Sequence, residues 1–299
     1  MERIRKIPRH LRFYVQVIFT AITNGYVLGF AQGKIYRGPT KKICVPGLNC
    51  YSCPGAIGSC PIGSLQAVIT SKNYRFSFYV VGFFMIFGSL LGRFVCGWLC
   101  PFGLIQDLLH KIPFPKKIQK IPFDRQLRYG KYLILAVFVI GMPLLLVGGS
   151  GYGNPWFCKL ICPSGTLLGG LPLVSKNPGL RRTIGFLFGW KVSLLILIVL
   201  LSILIYRPFC KYLCPLGAIY GVFNRFSLYH YEVDVAKCVH CGLCEKKCGM
   251  GVNICETPNS PECIRCGKCK DVCPTGAIQC GFSCKKQMGG ITYENTDRD

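Results

Sequence analysis

The stretch GRFVCGWLCPFGLIQDLLHK (residues 92–111) closes a long apolar run and places two cysteines, Cys96 and Cys100, four residues apart. Residues four apart lie on one face of a helix, so both thiols can point at one object. The proline at position 101 disfavours helical geometry at Cys100 and suits the first turn of a new helix. The sequence therefore predicts that one helix stops at Cys100 and that a short amphipathic helix, PFGLIQDLLHK, begins after it.

The same pattern recurs along the chain. Full copies of C-x3-C-P-x-G also lie at 158–165 (CKLICPSG) and 210–217 (CKYLCPLG), and NCYSCPGAIGSCPIG (49–63) ends in the same CPxG. Each copy follows an apolar run, and the second pair begins roughly 100 residues after the first, which resembles the symmetry of inverted-repeat membrane proteins. Membrane cysteines can also be simple packing residues, but this repeated motif is more specific than packing requires.

Composition indicates a basic integral membrane protein. The 299 residues are 51% hydrophobic and carry a formal charge of +24. Four stretches, at roughly 13–31, 76–95, 132–149 and 184–206, are long and apolar enough to cross a membrane. Lysine and arginine flank these stretches instead of forming one basic domain, so we expect no nucleic-acid partner.

Charge also predicts orientation. The basic N-terminal leader and the basic 111–131 loop lie on one side of the membrane, which the positive-inside rule makes cytoplasmic. We expect a multi-pass protein of the cytoplasmic (inner) membrane with both termini in the cytoplasm. Trp98, Trp156 and Trp190 fit an aromatic belt at the membrane interface.

Near the C-terminus, CVHCGLCEKKC (238–248) and CIRCGKCKDVCP (263–274) are two copies of C-x2-C-x2-C-x3-C. This run holds pairs of [4Fe–4S] clusters in bacterial ferredoxins, where the last cysteine of each run joins the other cluster. The first cluster would use Cys238, Cys241, Cys244 and Cys273, and the second Cys263, Cys266, Cys269 and Cys248. Zinc is the alternative, but the triple spacing exceeds what zinc needs. Gly249 stands where proline usually follows the first run.

The membrane motifs predict one or two further [4Fe–4S] clusters. Predicted topology places four cysteines on the cytoplasmic side, as many as one cluster takes: Cys96, Cys100, Cys210 and Cys214. On the opposite side, Cys158 and Cys162 need two more ligands from a set of four: Cys44, Cys50, Cys53 and Cys60. Cys53 and Cys60 are chosen because they belong to the CPxG repeat. Cys44 and Cys50 remain possible additional ligands, or a disulfide if that side is oxidising.

Three cysteines near the ferredoxin runs are less defined. Cys280 and Cys284 form a C-x3-C without proline and are possible additional ligands, and Cys255 is expected to be structural. The predicted fold is an α-helical membrane bundle of four transmembrane helices with repeated CPxG units, followed by a small α+β two-cluster ferredoxin domain. We place the membrane domain at 1–229, the ferredoxin domain at 230–284 and a tail at 285–299.

The membrane C-x3-C-P motifs combined with the double ferredoxin run resemble the NapH family of membrane quinol dehydrogenase subunits and the related C-terminal half of NosR. The resemblance covers nearly the whole chain, and it extends to Cys96, Cys100, Cys210, Cys214 and the eight ferredoxin cysteines. It implies electron exchange between a membrane quinone pool and a soluble redox partner. The additional cysteines at 44–60 and 158–162 depart from the family pattern, so the pathway stays open.

The chemistry of the residues independently favours a membrane electron carrier, an electron-transfer subunit of a quinone-linked oxidoreductase. The expected partners are membrane lipid, quinone as substrate, and a redox protein, either ferredoxin-like or a subunit of an oxidoreductase complex. No haem is expected, because the four histidines lie outside the apolar centres. Asp107 and His110, three apart on one helical face, are candidates for proton transfer to quinone. The alternatives are a scaffold or regulatory protein for redox sensing or metal-site assembly, and a transporter.

Overall fold

A computed structural model describes residues 10–70, 78–115, 117–118, 122–146 and 154–282. The first eight helices, in chain order, are α1 Leu11–Thr23, α2 Val27–Gln32, α3 Pro61–Ile69, α4 Phe78–Leu91, α5 Phe94–Trp98, α6 Pro101–Lys111, α7 Asp124–Leu145 and α8 Trp156–Leu160. They are followed by α9 Pro163–Gly165, a wide turn at Thr166–Gly170, α10 Leu171–Lys176, α11 Pro178–Arg182, α12 Phe186–Leu204, α13 Pro208–Tyr212 and α14 Pro215–Phe223. The C-terminal part contains β1 Tyr229–Val233, α15 Leu243–Lys247, α16 Lys268–Val272 and β2 Ile278–Phe282, and a short 3-10 turn lies at Pro39–Lys42.

Among the residues that the structure describes, two helices are long and apolar enough to cross a membrane. They are α7 with 22 residues and α12 with 19, and the apolar helices α1 and α4 are shorter, with 13 and 14 residues. At 1.5 Å per residue, a helix of this shorter length covers about 20 Å of a hydrocarbon core of about 30 Å. The described residues are therefore consistent with a membrane protein, and four crossings remain a prediction.

The first predicted span, 13–31, is divided. Helix α1 ends where the Asn24 side chain donates a hydrogen bond to the Thr20 carbonyl (3.1 Å), and the Tyr26 N–H then bonds to Gly55 O (3.1 Å). Because the chain is held against the neighbouring loop here, α2 starts as a separate helix. The second predicted span, 76–95, is likewise interrupted after α4, where Gly92 adopts a positive φ of 53°.

The predicted breaks at the CPxG motifs are confirmed. The second cysteine of each motif has extended backbone geometry, and the following proline is the first residue of a new helix. The cysteine ψ angles are 127° at Cys60, 117° at Cys100, 108° at Cys162 and 112° at Cys214. The proline keeps the preceding cysteine out of helical geometry, which ends one helix. It also lacks the N–H that the first turn of a helix would leave unpaired, so the next helix can begin at the proline itself.

The C-terminal part has a small core of its own. Strands β1 and β2 pair antiparallel, from Tyr229 opposite Phe282 to Val233 opposite Ile278. Tyr231, Cys244, Ile254 and Ile278 form the buried cluster under this sheet. The two short helices α15 and α16 belong to the two cysteine runs.

The ferredoxin region packs directly on the helical part. Arg93, which is fully buried, donates to Glu262 Oε2 (3.0 Å) and to Pro261 O (2.6 Å), and Lys131 also pairs with Glu262. The indole N–H of Trp98 donates to Arg265 O (2.9 Å), and the side chain is buried. Trp98 is thus a contact to the ferredoxin region, which corrects its expected place in an interfacial belt.

Candidate metal centres

Two copies of the repeat bring four cysteines together next to the ferredoxin region. We call this set, Cys96, Cys100, Cys210 and Cys214, the proximal quartet. Each cysteine is 5% exposed, and the thiols lie close enough for their charges to interact. The pairing of the second and fourth motifs predicted from the sequence is the one that the structure shows.

Two buried guanidinium groups brace the proximal quartet across the two halves of the chain. Arg207 donates to the carbonyl of Cys96 (2.6 Å), and Arg93 donates to the carbonyl of Cys210 (3.1 Å). Positive charge beside buried thiols favours their thiolate form and offsets the negative charge of a thiolate-ligated centre.

Sequence reasoning missed these arginines, although a signal was present. Both proximal copies have arginine three residues before the first cysteine, in RFVCGWLCP (93–101) and RPFCKYLCP (207–215). The copy at 155–163, PWFCKLICP, has proline at that position. A motif that includes the three residues before the first cysteine distinguishes the copies that form the proximal quartet from the copy at 155–163.

Asp107 is the carboxylate partner of this arrangement. It accepts from Arg207 Nε (2.7 Å) and pairs with Arg12. Burial alone would raise the pKa of Asp107, but the Arg207 and Arg12 guanidiniums outweigh it and lower the pKa to about 2. Asp107 therefore stays ionised at neutral pH, and its ion pairs account for its position without a quinone.

His110, the second residue considered for proton transfer, lies one helical turn further along. Its ring packs edge-to-face on Tyr206 at 5.4 Å, and its Nδ1 has no hydrogen-bond partner among the described residues. Burial, together with nearby Lys117, lowers the pKa of His110. The side chain is therefore neutral at neutral pH and has one ring nitrogen available.

A second set of four cysteines lines a cavity of about 760 Å³. We call this set, Cys50, Cys60, Cys158 and Cys162, the distal quartet. Burial, together with the neighbouring thiols of Cys162 and Cys50, raises the pKa of Cys60 to about 12. The first and third copies of the repeat thus meet, as the second and fourth do, but with Cys50 and Cys60 ten residues apart in the first copy.

Membership of the distal quartet differs from the sequence-based choice. Cys50 lines the cavity beside Cys60, whereas the Cys53 thiol points to Asn24 Oδ1 at 3.6 Å. Cys44 also lies apart, with its thiol 3.5 Å from Ser64 Oγ, and both Cys44 and Cys50 are free thiols. The loop reverses between Cys50 and Cys53, so membership of the CPxG motif does not decide which thiol faces the cavity.

The distal cavity has a polar lining. Hydroxyl groups of Ser52, Ser64, Thr70 and Ser164 lie around it. Lys191, from the first half of α12, extends into the lining and donates to the carbonyl of Cys158 (3.1 Å). A cation and several hydroxyls at one cavity can hold a polar ligand as well as a thiolate-bound centre.

The ferredoxin cysteines form two groups. Cys238, Cys241, Cys244 and Cys273 line one small pocket, and the thiols of Cys248, Cys263, Cys266 and Cys269 interact electrostatically with one another. These are the two sets predicted from the ferredoxin pattern, in which the last cysteine of each run joins the cluster of the other run. Their role as ligands remains a prediction.

The remaining cysteines take different positions. The Cys255 thiol lies in the first pocket, 3.6 Å from that of Cys244 and 3.9 Å from that of Cys238. Cys280 lies on β2 with Lys270 Nζ 3.6 Å from its sulfur. Cys284 and the predicted tail lie outside the described residues.

Gly249, the departure from the usual proline, has a physical reason. A Cβ atom at this position would lie 2.5 Å from the ring of Tyr206. A proline would meet the same ring, so the close approach of the ferredoxin region to α12 and α13 requires glycine here.

The second ferredoxin group lies nearest to the proximal quartet. A Cβ atom on Gly97, which follows Cys96, would lie 2.2 Å from the carbonyl oxygen of Ile264, which follows Cys263. Cys248 and Cys266 also pack against the main core that contains the proximal quartet. The first group, in contrast, contains the solvent-exposed Cys241.

Each donor set has four thiols, the number and kind of ligands that a [4Fe–4S] cluster takes. Within the described ranges, no group of three or more His, Cys, Asp or Glu side chains is spaced to hold one metal ion. The four thiolates of a [4Fe–4S] cluster bind separate irons and stand farther apart than ligands of one zinc ion.

Comparison with known families agrees with this chemistry. A 4Fe-4S binding domain family (Fer4_5) matches residues 76–122, 135–181 and 187–229, which contain the three full membrane motifs. A second 4Fe-4S binding domain family (Fer4) matches residues 258–279, in the second ferredoxin run. No solved structure gives a significant match.

Three relatives indicate the breadth of the family. Uncharacterized protein MJ0750 of Methanocaldococcus jannaschii is 34% identical over 210 residues, 68% of this chain and 74% of that protein. Ferredoxin-type protein NapH of Haemophilus influenzae is 32% identical over 172 residues, 56% of this chain and 50% of NapH. Regulatory protein NosR of Pseudomonas aeruginosa is 28% identical over 167 residues, 53% of this chain and 20% of NosR.

The matched region thus spans about three quarters of the archaeal relative, half of NapH and a smaller part of NosR. Together, the 4Fe-4S domain matches and these relatives show that the chain belongs to the NapH/NosR-like family of ferredoxin-type electron-transport proteins.

Proposed function

We propose that the protein is a membrane electron carrier that passes electrons between the quinone pool and a redox partner protein, as a subunit of a quinone-linked oxidoreductase. The observation that carries the proposal is the proximal quartet, which two matching motifs assemble beside the second ferredoxin group. A thiol set that served packing alone would need neither the paired motifs nor two buried arginines.

Four cysteine sets would each hold one [4Fe–4S] cluster: the proximal quartet, the distal quartet and the two ferredoxin groups. When bound, each cluster supplies one-electron redox chemistry. A quinol gives up two electrons and two protons to become quinone, so two successive one-electron steps balance one quinol. Reduction of quinone to quinol likewise takes up two electrons and two protons.

The protein contacts suggest the order of the centres. Gly97 and Ile264 join the proximal quartet to the second ferredoxin group through adjoining backbone, without an intervening side chain at Gly97. The first group follows, since the two cysteine runs share one small domain. The distal quartet lies at the other end of the series.

The surface around the first ferredoxin group fits an acidic redox partner. Val239 and Leu243 are 63% and 45% exposed beside the exposed Cys241. Lys246 and Lys247, on α15, are exposed next to them. An apolar patch bordered by lysines complements an acidic protein and would speed its association at low salt.

The quinone headgroup has two candidate positions. One is His110, near the end of α6, whose neutral ring has a nitrogen with no partner among the described residues. The other is the distal cavity, whose volume of about 760 Å³ falls within the range of small-molecule sites. Lys191→Met and His110→Ala would separate them, because only one should weaken the response to quinol.

We also propose the predicted topology of four crossings with cytoplasmic termini. The two spanning-length helices and the shorter apolar helices α1 and α4 support it. Cysteine accessibility from each side of sealed vesicles, measured with single reporter cysteines in α11 and α15, tests it. Labelling of both reporters from one side would contradict the proposal.

Metal content and quinol response test the function. Purified protein should contain about sixteen irons and as many acid-labile sulfides, as four clusters require. Quinol added anaerobically to the protein in lipid nanodiscs should reduce ferredoxin-type centres, observed by low-temperature electron paramagnetic resonance. About eight irons, or no reduction by quinol, would reject the proposal.

A regulatory or scaffold role is the second candidate, since one relative, NosR, is named a regulatory protein. A scaffold could hold the same centres without turnover. It would show the full metal content, no quinol-driven reduction and no electron transfer to an added acidic acceptor.

A further inference from the structure

Two glutamines occupy the same position in the first and second copies of the repeat. Gln66 ends CPIGSLQ (60–66) and Gln106 ends CPFGLIQ (100–106), so each is the sixth residue after the second cysteine of its motif. Both side chains are almost completely buried, at 0% and 1% exposed. A buried amide must find hydrogen-bond partners, and both glutamines find them in the same way.

Each glutamine amide nitrogen contacts a thiol from the other half of the chain. Gln106 Nε2 lies 3.1 Å from Cys210 Sγ, and Gln66 Nε2 lies 3.4 Å from Cys158 Sγ. In both cases the acceptor is the first cysteine of its C-x3-C-P motif. The contact thus belongs to the repeat and recurs at both quartets.

A second contact fixes which end of each amide faces the sulfur. Gln106 Nε2 also reaches the carbonyl of Phe102 (3.5 Å), and Gln66 Nε2 reaches that of Ile62 (3.3 Å). A carbonyl oxygen accepts only from the NH2 end of the amide. The same NH2 group can therefore donate its other proton to the thiol sulfur.

We propose that Gln66 and Gln106 are positioning residues that donate a hydrogen bond to one cysteine ligand of each membrane cluster and raise its reduction potential. The inference rests on the proposed function, in which the two quartets hold clusters. An N–H donor stabilises negative charge on sulfur, and the reduced cluster carries one more negative charge than the oxidised one. The donor therefore stabilises the reduced state more, especially in a buried site.

The two sites differ in what else the amide does. Gln66 Oε1 accepts from the Phe157 N–H (3.1 Å), while Gln106 Oε1 has no partner among the described residues. Replacing Gln66 would leave a buried backbone donor unpaired, a loss that acts on folding as well as on the cluster. Gln106 is the cleaner position for a test, and its shorter contact predicts the larger effect.

The test is a redox titration of Gln106→Leu followed by electron paramagnetic resonance, with the full chain in nanodiscs. We expect one midpoint potential to fall, making reduction of that centre about tenfold less favourable, which is about 59 mV for a one-electron couple. Gln66→Leu should lower a different midpoint by less. Gln16→Leu is the matched control, because Gln16 is equally buried and its Nε2 has no partner within the described residues.

A Gln106→Leu protein with its full iron content and unchanged midpoints would overturn the inference. Wild-type protein with ferredoxin signals alone would reject the membrane clusters themselves, which separates the two failures. If Gln106→Leu does not assemble, the hydrogen bond can be tested in wild-type protein with 15N-labelled glutamine side chains. We expect hyperfine coupling between that nitrogen and a reduced membrane centre. Absence of the coupling would refute the hydrogen bond.

Discussion

The proximal and distal quartets come from copies of one motif, yet their surroundings are opposite. The proximal cysteines are enclosed, each 5% exposed, with two buried arginines bound to their backbone. The distal cysteines border a cavity with hydroxyl groups and one lysine. The motif determines that two cysteine pairs meet, and the residues outside it determine whether the resulting site is closed or open.

The glycines of the CPxG motifs show the same contrast. At the proximal quartet, a Cβ atom on Gly103 or Gly217 would lie 3.2 Å from the guanidinium of Arg207 or Arg93. At the distal quartet, a Cβ atom on Gly63 or Gly165 would meet nothing closer than 3.6 Å. The glycine thus leaves room for the arginine at one site, whereas at the other a Cβ atom would make only ordinary contacts.

The largest expected effect concerns the membership of the quartets. Cys50→Ala should abolish the distal centre and reduce the iron content by about four per chain, whereas Cys53→Ala should leave it unchanged. The reason is that Cys50 faces the distal cavity and Cys53 faces Asn24. Iron analysis with electron paramagnetic resonance measures the loss, and the reverse pattern would restore the original choice of Cys53.

The next effect tests the closed character of the proximal site. Asp107→Asn would leave Arg207 buried beside an uncharged partner, and we expect a loss of about 3–5 kcal/mol in the free energy of unfolding. Asp234→Asn is the control, because its pair with Lys237 is largely exposed and should contribute little to stability. Chemical denaturation in detergent measures both, and equal losses would argue against a buried network.

The pH dependence of the same pair is smaller. Asp107 has a folded pKa of about 2, below its ordinary value, so its contribution is complete above about pH 4 and is lost as pH falls through the folded value. The shift corresponds to about 2 kcal/mol. The free energy of unfolding, measured from pH 5 to 2, should fall less steeply in Asp107→Asn than in wild type. Parallel curves for the two proteins would show that Asp107 does not cause the pH dependence.

The smallest effect comes from the motif glycines. Gly103→Ala forces the Arg207 guanidinium to move and should cost about 1–2 kcal/mol, as overpacking does. Gly165→Ala meets only ordinary contacts and should change stability by less than about 0.5 kcal/mol. Thermal unfolding of the two variants side by side measures this difference, and a larger loss at Gly165 would invert the comparison between open and closed sites.

The sequence predicted the breaks at the CPxG motifs because proline acts on its immediate neighbour, a local effect. It also predicted the proximal pairing, since the alternation of motifs fixes which cysteines share a side. It failed to separate Cys50 from Cys53, because a loop reversal held by Asn24 and Gly55 decides which thiol turns inward. Arg93 and Arg207 were overlooked because their contacts cross from one half of the chain to the other.

The exposed thiol of Cys241, at the end of the chain of centres, has a consequence for handling the protein. Susceptibility of a thiolate to oxidation follows its access to solvent. Air should therefore attack the first ferredoxin group before the enclosed proximal quartet. Under the proposed function, a preparation made without exclusion of oxygen would keep its buried iron but lose the centre that exchanges electrons with the redox partner.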